Sequence, residues 1–246
     1  MAPTRSATDL PALELVARET MAGRVYAQLR EAIMTGRFAP GQLLSLRSVA
    51  EAVGSSTMPV RAALTRLQAE GALIDGAGRA LMVPPMTLEL LGELRDVRIA
   101  LEGAVAKRAA SRMTRAHLTA LQAVYDVMDA HVEAGDVPAY LRSNFEFHIA
   151  IYTHGASDIT LATIQNLWMR IGPFLNLVAP DIPHMRRSMA AHRHIVEALW
   201  RGDGEGARAG IEEDIGDAAA DLAERLQGAE QGNEESGKKG GVQASA

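Results

Sequence analysis

The chain of 246 residues contains no cysteine. That excludes a disulfide framework, a thiolate metal site and a thiol nucleophile. No apolar run approaches the roughly 20 residues that a membrane-crossing helix requires. The opening stretch, MAPTRSATDLPALELVARET, lacks the charged-then-apolar layout of a secretory leader. These absences predict a cytoplasmic protein with no membrane partner. From Leu88 onward strand-like alternation is missing as well, and no segment repeats another.

What is present divides unevenly. The formal net charge is −5, yet residues 20–86 carry seven arginines against Glu31, Glu51, Glu70 and Asp75, whereas residues 87–226 hold 14 basic and 20 acidic groups. Positive charge therefore gathers in the first lobe, where it could meet phosphate. The excess is mild, so DNA binding would need two copies on a palindrome.

That first lobe is organised around Ser55 to Leu67. Ser56 can cap a helix, and Pro59 falls in its first turn, where a missing N–H costs little. Val60, Ala63, Leu64 and Leu67 follow at helical spacing and predict a buried stripe. Arg61 and Arg66 lie off the stripe, while Thr57 and Met58 form the exposed tip. Before it, Leu46 to Val53 reads as a short helix, and Gly54 permits a tight turn between the two. Met21 to Met34 reads as a helix ended by Gly36, with Pro40-Gly41 turning the chain. Downstream, two apolar runs from Gly71 to Val83 flank the glycine-rich turn at Gly76 to Gly78, beside Arg79. That is a hairpin, and behind a helix-turn-helix it makes a wing. Val83-Pro84-Pro85 forms a stiff boundary.

Taken together, Ile33, Gly36, Pro40-Gly41, Leu46, Arg47, Ala50, Gly54, Ser56, Pro59-Val60-Arg61, Ala63-Leu64, Leu67 and Glu70-Gly71 resemble the winged-helix domain of the GntR family of bacterial transcriptional regulators. The resemblance implies three arginine positions at the DNA. Arg47 matches the first and Arg61 the third, but Thr57 stands at the second and Ala62 replaces the glutamate usual after the third. Thr57 cannot make the bidentate guanine contact of an arginine, so DNA binding is implied without a particular operator. The expected DNA-contacting set is Arg47, Ser56, Thr57, Arg61, Arg66 and Arg79.

The second lobe reads as helix throughout, over Leu90–Ser111, Thr114–Ala134, Pro138–His154, Ile159–Leu177, His184–Arg201 and Gly204–Leu226. Short connections predict an antiparallel bundle. The expected fold class is mostly α, a winged helix-turn-helix followed by a helical bundle. Its boundaries are a loose arm over 1–18, a winged domain over 19–84, an effector-binding and dimerising domain over 88–226, and a disordered polar tail over 227–246.

Arg98 and Glu102, then Asn144-Phe-Glu-Phe-His148, then His192 through Gly202-Asp203, resemble the FCD effector domain of the FadR-type GntR subfamily. Many such domains hold a metal through one carboxylate and three histidines, the first two ligands one helical turn apart. Carried over, these positions are Asn144, His148, His192 and Asp214. Asn stands where the family often has Asp, and Asp where it usually has His, so one carboxylate remains. The resemblance thus implies a divalent ion, Zn, Ni or Mn, with a small organic acid such as a sugar acid resting on it. On the residues alone, the same four side chains could merely hydrogen-bond in a polar cavity. Arg98 could pin an effector carboxylate or pair with Glu102 one turn away. His117 and His131 read as surface groups, His154 as a helix end, His184 as near a loop, and His194 as facing away from His192.

The leading expectation is a homodimeric, ligand-responsive regulator, not an enzyme. One rival is a metal-dependent enzyme with a winged docking module. It would need a general base by the ion, and Glu213, beside Asp214, points elsewhere on its helix. Another rival is a metal-free, constitutive DNA binder.

Overall fold

Thr20 opens the first helix by accepting a hydrogen bond from the Gly23 amide at 3.1 Å, satisfying a donor that every helix start leaves open. Helix α1 (Met21–Met34) then turns Val25, Tyr26, Leu29 and Ile33 inward, as their spacing requires. The computed structural model describes residues 20–241, with side-chain surroundings through 229. The arm expected over 1–18 and the last five residues of the chain lie outside the described residues.

The winged lobe follows the sequence pattern closely. Helices α2 (Leu46–Ala52) and α3 (Thr57–Ala69) meet at Gly54, whose φ of +61° lies in the left-handed region open to glycine. The α3 stripe of Val60, Ala63, Leu64 and Leu67 is buried. The wing, however, has a strand that its sequence does not announce. Strands β1 (Leu43–Leu44), β2 (Ile74–Asp75) and β3 (Leu81–Met82) form an antiparallel sheet in the order β1-β3-β2, with Leu43 and Ile74 both opposite Met82. A two-residue strand is too short to show alternation, and long-range pairing with β3 creates it.

Six helices complete the described chain: α4 (Leu88–Ala109), α5 (Arg115–Ala134), α6 (Val137–Gly155), α7 (Asp158–Val178), α8 (Ile182–Trp200) and α9 (Gly204–Gly241). Local chemistry sets their ends. Thr87, Thr114, Asp136 and Ser157 each accept a backbone N–H at an N-terminus, and Gly135 closes α5 at φ +66°. Helix α9 packs along α4 and α8, α5 along α6 and α8, and α6 against α4. Helical backbone continues to Gly241, well into the segment expected to be disordered from 227. Extending an existing helix needs no new nucleus, which composition alone does not register. Among the described residues no helix is long and apolar enough to cross a membrane.

The buried apolar cluster runs without a break from the winged lobe into the bundle. The contact is made where α1 seats on α7. A Cβ at Gly172 would stand 2.5 Å from the Ile33 carbonyl oxygen and 2.6 Å from that of Met34, so only glycine fits. Nearby, the Arg30 guanidinium donates to the Gln165 side chain at 2.9 Å. Gly172→Ala must therefore push the winged lobe off its seat. Overpacking of this kind costs about 1–3 kcal/mol, and a lower midpoint in chemical denaturation is the expected result. An unchanged midpoint would mean that the two lobes do not meet here in solution.

Candidate functional site

Two places gather the residues singled out from the sequence. The first is the exposed face of α2, α3 and the wing. Ser56 occupies the N-cap position of α3, but its hydroxyl makes no capping hydrogen bond, contrary to the expected cap. It is exposed beside Thr57, Met58 and Arg61. Arg61 and Arg79 are exposed and carry no ion pair among the described residues. Arg47 meets Glu51 at 3.2 Å with both side chains open to water, a pairing weak enough to yield to a phosphate.

Arg66 is set apart from that face. It lies five residues beyond Arg61 and hence about 140° around the helix. Its Nε donates to Glu70 at 3.0 Å and its guanidinium stacks 3.8 Å above the Tyr26 ring. The Tyr26 hydroxyl donates to the other Glu70 oxygen at 2.7 Å. Arg66 is thus a brace between α1 and α3. The side chain stays exposed and Glu70 is one turn away, but the Tyr26 ring lies far off in sequence and no local spacing announces it.

The second place is a polar centre inside the bundle. Asn144, His148 and Tyr152 recur every four residues on α6 and so share one inward face. Helix α8 brings His192 and Ser188 by the same spacing, and α9 brings Asp214. His148 Nε2 stands 3.2 Å from Asp214 Oδ2, His192 Nε2 stands 3.2 Å from Asp214 Oδ1, and the two Nε2 atoms are 3.3 Å apart. Ser188 donates to Asp214 Oδ1 at 2.8 Å. Burial would push the Asp214 carboxyl up, but the groups against it, His192 foremost, outweigh that and hold it well below the usual carboxylate range. Burial pushes the His148 pKa down, against the pull of Asp214, which favours the neutral ring that can ligate a metal.

These distances test whether the residues suit an ion. Tetrahedral bonds of about 2.0–2.1 Å place neighbouring ligand atoms roughly 3.3–3.4 Å apart. The two imidazole nitrogens stand nearly that far apart, and each lies at a similar distance from its own oxygen of the Asp214 carboxylate, so the three groups can close round one ion. His192 Nδ1, on the far side of its ring, is buried without a hydrogen-bond partner. Asn144 is buried one turn from His148 and lines the adjoining cavity, and its amide makes no hydrogen bond among the described residues. That cavity, of about 30 Å³, is bounded also by Arg98, Tyr140, Trp168, His184, Ser188 and Asp214. At roughly 10–15 Å³ per water it has room as it stands for an ion's remaining ligands, and it would admit an organic acid only if its walls part.

Arg98 lines this cavity and makes the second of its two expected contacts. Its Nε donates to Glu102 Oε1 at 2.7 Å and its Nη2 to Oε2 at 3.3 Å, both groups being buried. Tyr152 donates to Glu102 Oε2 at 2.6 Å and Trp168 at 3.2 Å. Tyr152, Trp168 and Ser188 were not singled out from the sequence. Tyr152 was within reach, since it continues the four-residue stripe of Asn144 and His148. Trp168 and Ser188 had no such signal.

Several histidines are less bland than their spacing suggests. His184 is buried in the first turn of α8 and pairs with Asp221, which Arg187 also holds. His131 bonds Ser143 at 3.0 Å, and His117 stacks on His154 at 3.9 Å between ring centres. His194 does face away from His192 and stands 3.5 Å from Glu213.

Comparison with known proteins agrees with this architecture. Residues 21–83 match the model for bacterial regulatory proteins of the gntR family, and residues 93–217 match the FCD domain. The HTH-type transcriptional regulator McbR of Escherichia coli (strain K12) is 30% identical over 187 residues, 75% of this chain and 85% of that protein. The "Probable D-xylose utilization operon transcriptional repressor" of Paenarthrobacter nicotinovorans is 28% identical over 188 residues, 76% of this chain and 82% of that one. The solved structure of E. coli McbR/YncC superposes with a TM-score of 0.79 at 28% identity, covering 84% of this chain and 98% of the other.

The buried Arg98–Glu102 pair carries its own prediction. Removing one partner strands a charge in the interior, at a cost of about 3–5 kcal/mol. Arg98→Ala should therefore lower the thermal midpoint sharply even with no small molecule present. A variant that melts like the parent would return Arg98 to a role in ligand binding alone.

Proposed function

The chain belongs to the GntR family and is a DNA-binding transcriptional regulator with an FCD domain, and we propose that a small organic acid, seated on a divalent metal in its helical domain, controls its hold on a palindromic operator. The observation that carries the metal reading is the buried group of His148, His192 and Asp214, the two ring nitrogens 3.3 Å apart and each 3.2 Å from one oxygen of the carboxylate. Zn, Ni and Mn accept such a nitrogen-and-oxygen set. The Asn144 amide faces the same cavity and can supply a fourth, weaker donor or hold a metal-bound water. When bound, the ion would act as a Lewis acid that attracts the effector's carboxylate.

An outer pocket of about 280 Å³, lined by Asp181, His184, Asp221, Glu224 and Arg225, shares Val178 and His184 with the inner cavity. Effector entry from that side requires the His184–Asp221 pair to give way. The working units on this reading are the winged domain over 19–84 and the effector and dimerisation domain over 88–226, in the cytoplasm. Two winged domains on a dimer would read two half-sites. Effector binding changes their geometry, and by linkage DNA weakens effector binding to the same degree.

At the DNA, Arg47, Ser56, Thr57, Arg61 and Arg79 form the contacting set, with Arg66 held back as the α1–α3 brace. Arg61→Ala should abolish specific binding while leaving the fold intact. A bidentate base contact contributes about 1–3 kcal/mol per half-site, and symmetry doubles it. Gel shifts on operators selected from a random duplex pool decide the point, and unchanged affinity would remove Arg61 from the interface.

For the metal, protein purified without chelator should carry close to one equivalent by elemental analysis. His148→Ala and His192→Ala should each lose it, together with a few degrees of thermal stability, and should blunt effector response without abolishing DNA binding. Substoichiometric metal with no melting shift on adding Zn, Ni or Mn would leave a polar cavity only.

A further inference from the structure

We propose that Tyr152, anchored by the buried Glu102 carboxylate, fixes His148 as the tautomer with its proton on Nδ1, leaving the Nε2 lone pair aimed at His192 and Asp214. The claim deepens the metal reading and rests on it only for its consequence, ion affinity.

The assignment follows from counting protons. Glu102 has no exposed surface. It receives Arg98 Nε at 2.7 Å, Arg98 Nη2 at 3.3 Å, the Tyr152 hydroxyl at 2.6 Å and the Trp168 indole at 3.2 Å. Guanidinium and indole N–H groups can only donate, so Glu102 accepts from both. A tyrosine hydroxyl has one proton. At 2.6 Å from a carboxylate that proton points to Glu102, because the reverse would set two acceptors against each other. The same oxygen lies 3.1 Å from His148 Nδ1 and must there accept. Nδ1 is therefore an N–H, and whenever the ring is neutral Nε2 is the bare nitrogen.

On its other side the bare Nε2 faces Asp214 Oδ2 at 3.2 Å. A lone pair opposite a carboxylate is unfavourable by itself and favourable around a cation. His192 differs. Its Nδ1 is buried with no partner, so nothing behind its ring selects a tautomer. In the ion-free protein its Nε2–H can donate to Asp214 Oδ1 at 3.2 Å, and it must shift that proton to ligate. His148 is thus the preset ligand and His192 the adaptable one. Tyr152 and Glu102 are positioning residues, acting on the ion through His148.

The test is nitrogen-15 NMR of the full chain in chelator, with the His148 signals assigned by their loss in His148→Gln. The expected pattern is a protonated Nδ1 and a bare Nε2 for His148. Tyr152→Phe keeps the ring and removes the acceptor, and should move the proton to Nε2, where Asp214 can accept it. Competition titration with Zn should then show affinity weakened 10- to 100-fold, the usual effect of losing a partner behind a metal-bound histidine. A wild-type His148 protonated on Nε2 would overturn the proposal, and that measurement needs no variant to fold. So would a Tyr152→Phe protein whose tautomer and Zn affinity both match wild type. If the wild-type protein shows the Nδ1–H pattern but binds no added Zn, Ni or Mn, the tautomer assignment stands and the metal reading fails.

Discussion

A carboxylate with no exposed surface cannot be hydrated, so the protein must answer each of its lone pairs. Glu102 is such a group, and the bundle is arranged to satisfy it. Its donors come from α4, α6 and α7: Arg98, Tyr152 and Trp168. Those three helices cannot slide past one another without exposing a buried charge, which costs far more than a lost apolar contact. Through Tyr152 the constraint reaches His148, and through His148 it reaches His192 on α8 and Asp214 on α9. A well-packed apolar core would often serve stability as well or better. Keeping two carboxylates and two histidines inside makes sense for a centre that binds something.

The same polar chain lies close to the winged lobe. Trp168, which donates to Glu102, stands one turn of α7 before Gly172, where α1 presses its last carbonyls against the helix. Pro173 follows directly, removing one N–H from the ladder at that point. A close-packed interface with no space for a methyl group transmits displacement instead of absorbing it. The wall of the cavity and the seat of the DNA-binding lobe are thus two faces of one helix, which matches a regulator that must couple them.

Legibility in the sequence followed the range of the interaction. Helix limits were readable because capping residues, glycine stops and a four-residue apolar rhythm act within a turn or two. The predicted bundle helices begin and end within two residues of those observed, except that α9 runs on to Gly241. The α6 stripe was readable for the same reason, although only Asn144 and His148 were drawn from it and Tyr152, the next step, was passed over. Strand β1 was not readable, because two leucines become a strand only when β3 lies beside them. Arg66 is exposed like its neighbours, and only the fold shows that it also stacks on Tyr26 and pairs with Glu70. His184 does lie near a loop, as expected, but nothing local pointed to Asp221 of α9 as its partner.

Sequence alone determined the two-lobe plan, the helix-turn-helix with its wing, the concentration of positive charge on the first lobe and the family to which the chain belongs. The plan, the motif and the charge depend on periodicity, turn chemistry and composition, all of which are local, and the family rests on the resemblance of particular residues. Only the tertiary structure decided which polar groups face each other. It set His148, His192 and Asp214 within ligand distance, left Asn144 on the adjoining wall, tied Arg98 to Glu102 and put Tyr152 behind His148. The reason is that burying charge demands partners from other helices, and no local pattern specifies which helix will supply them.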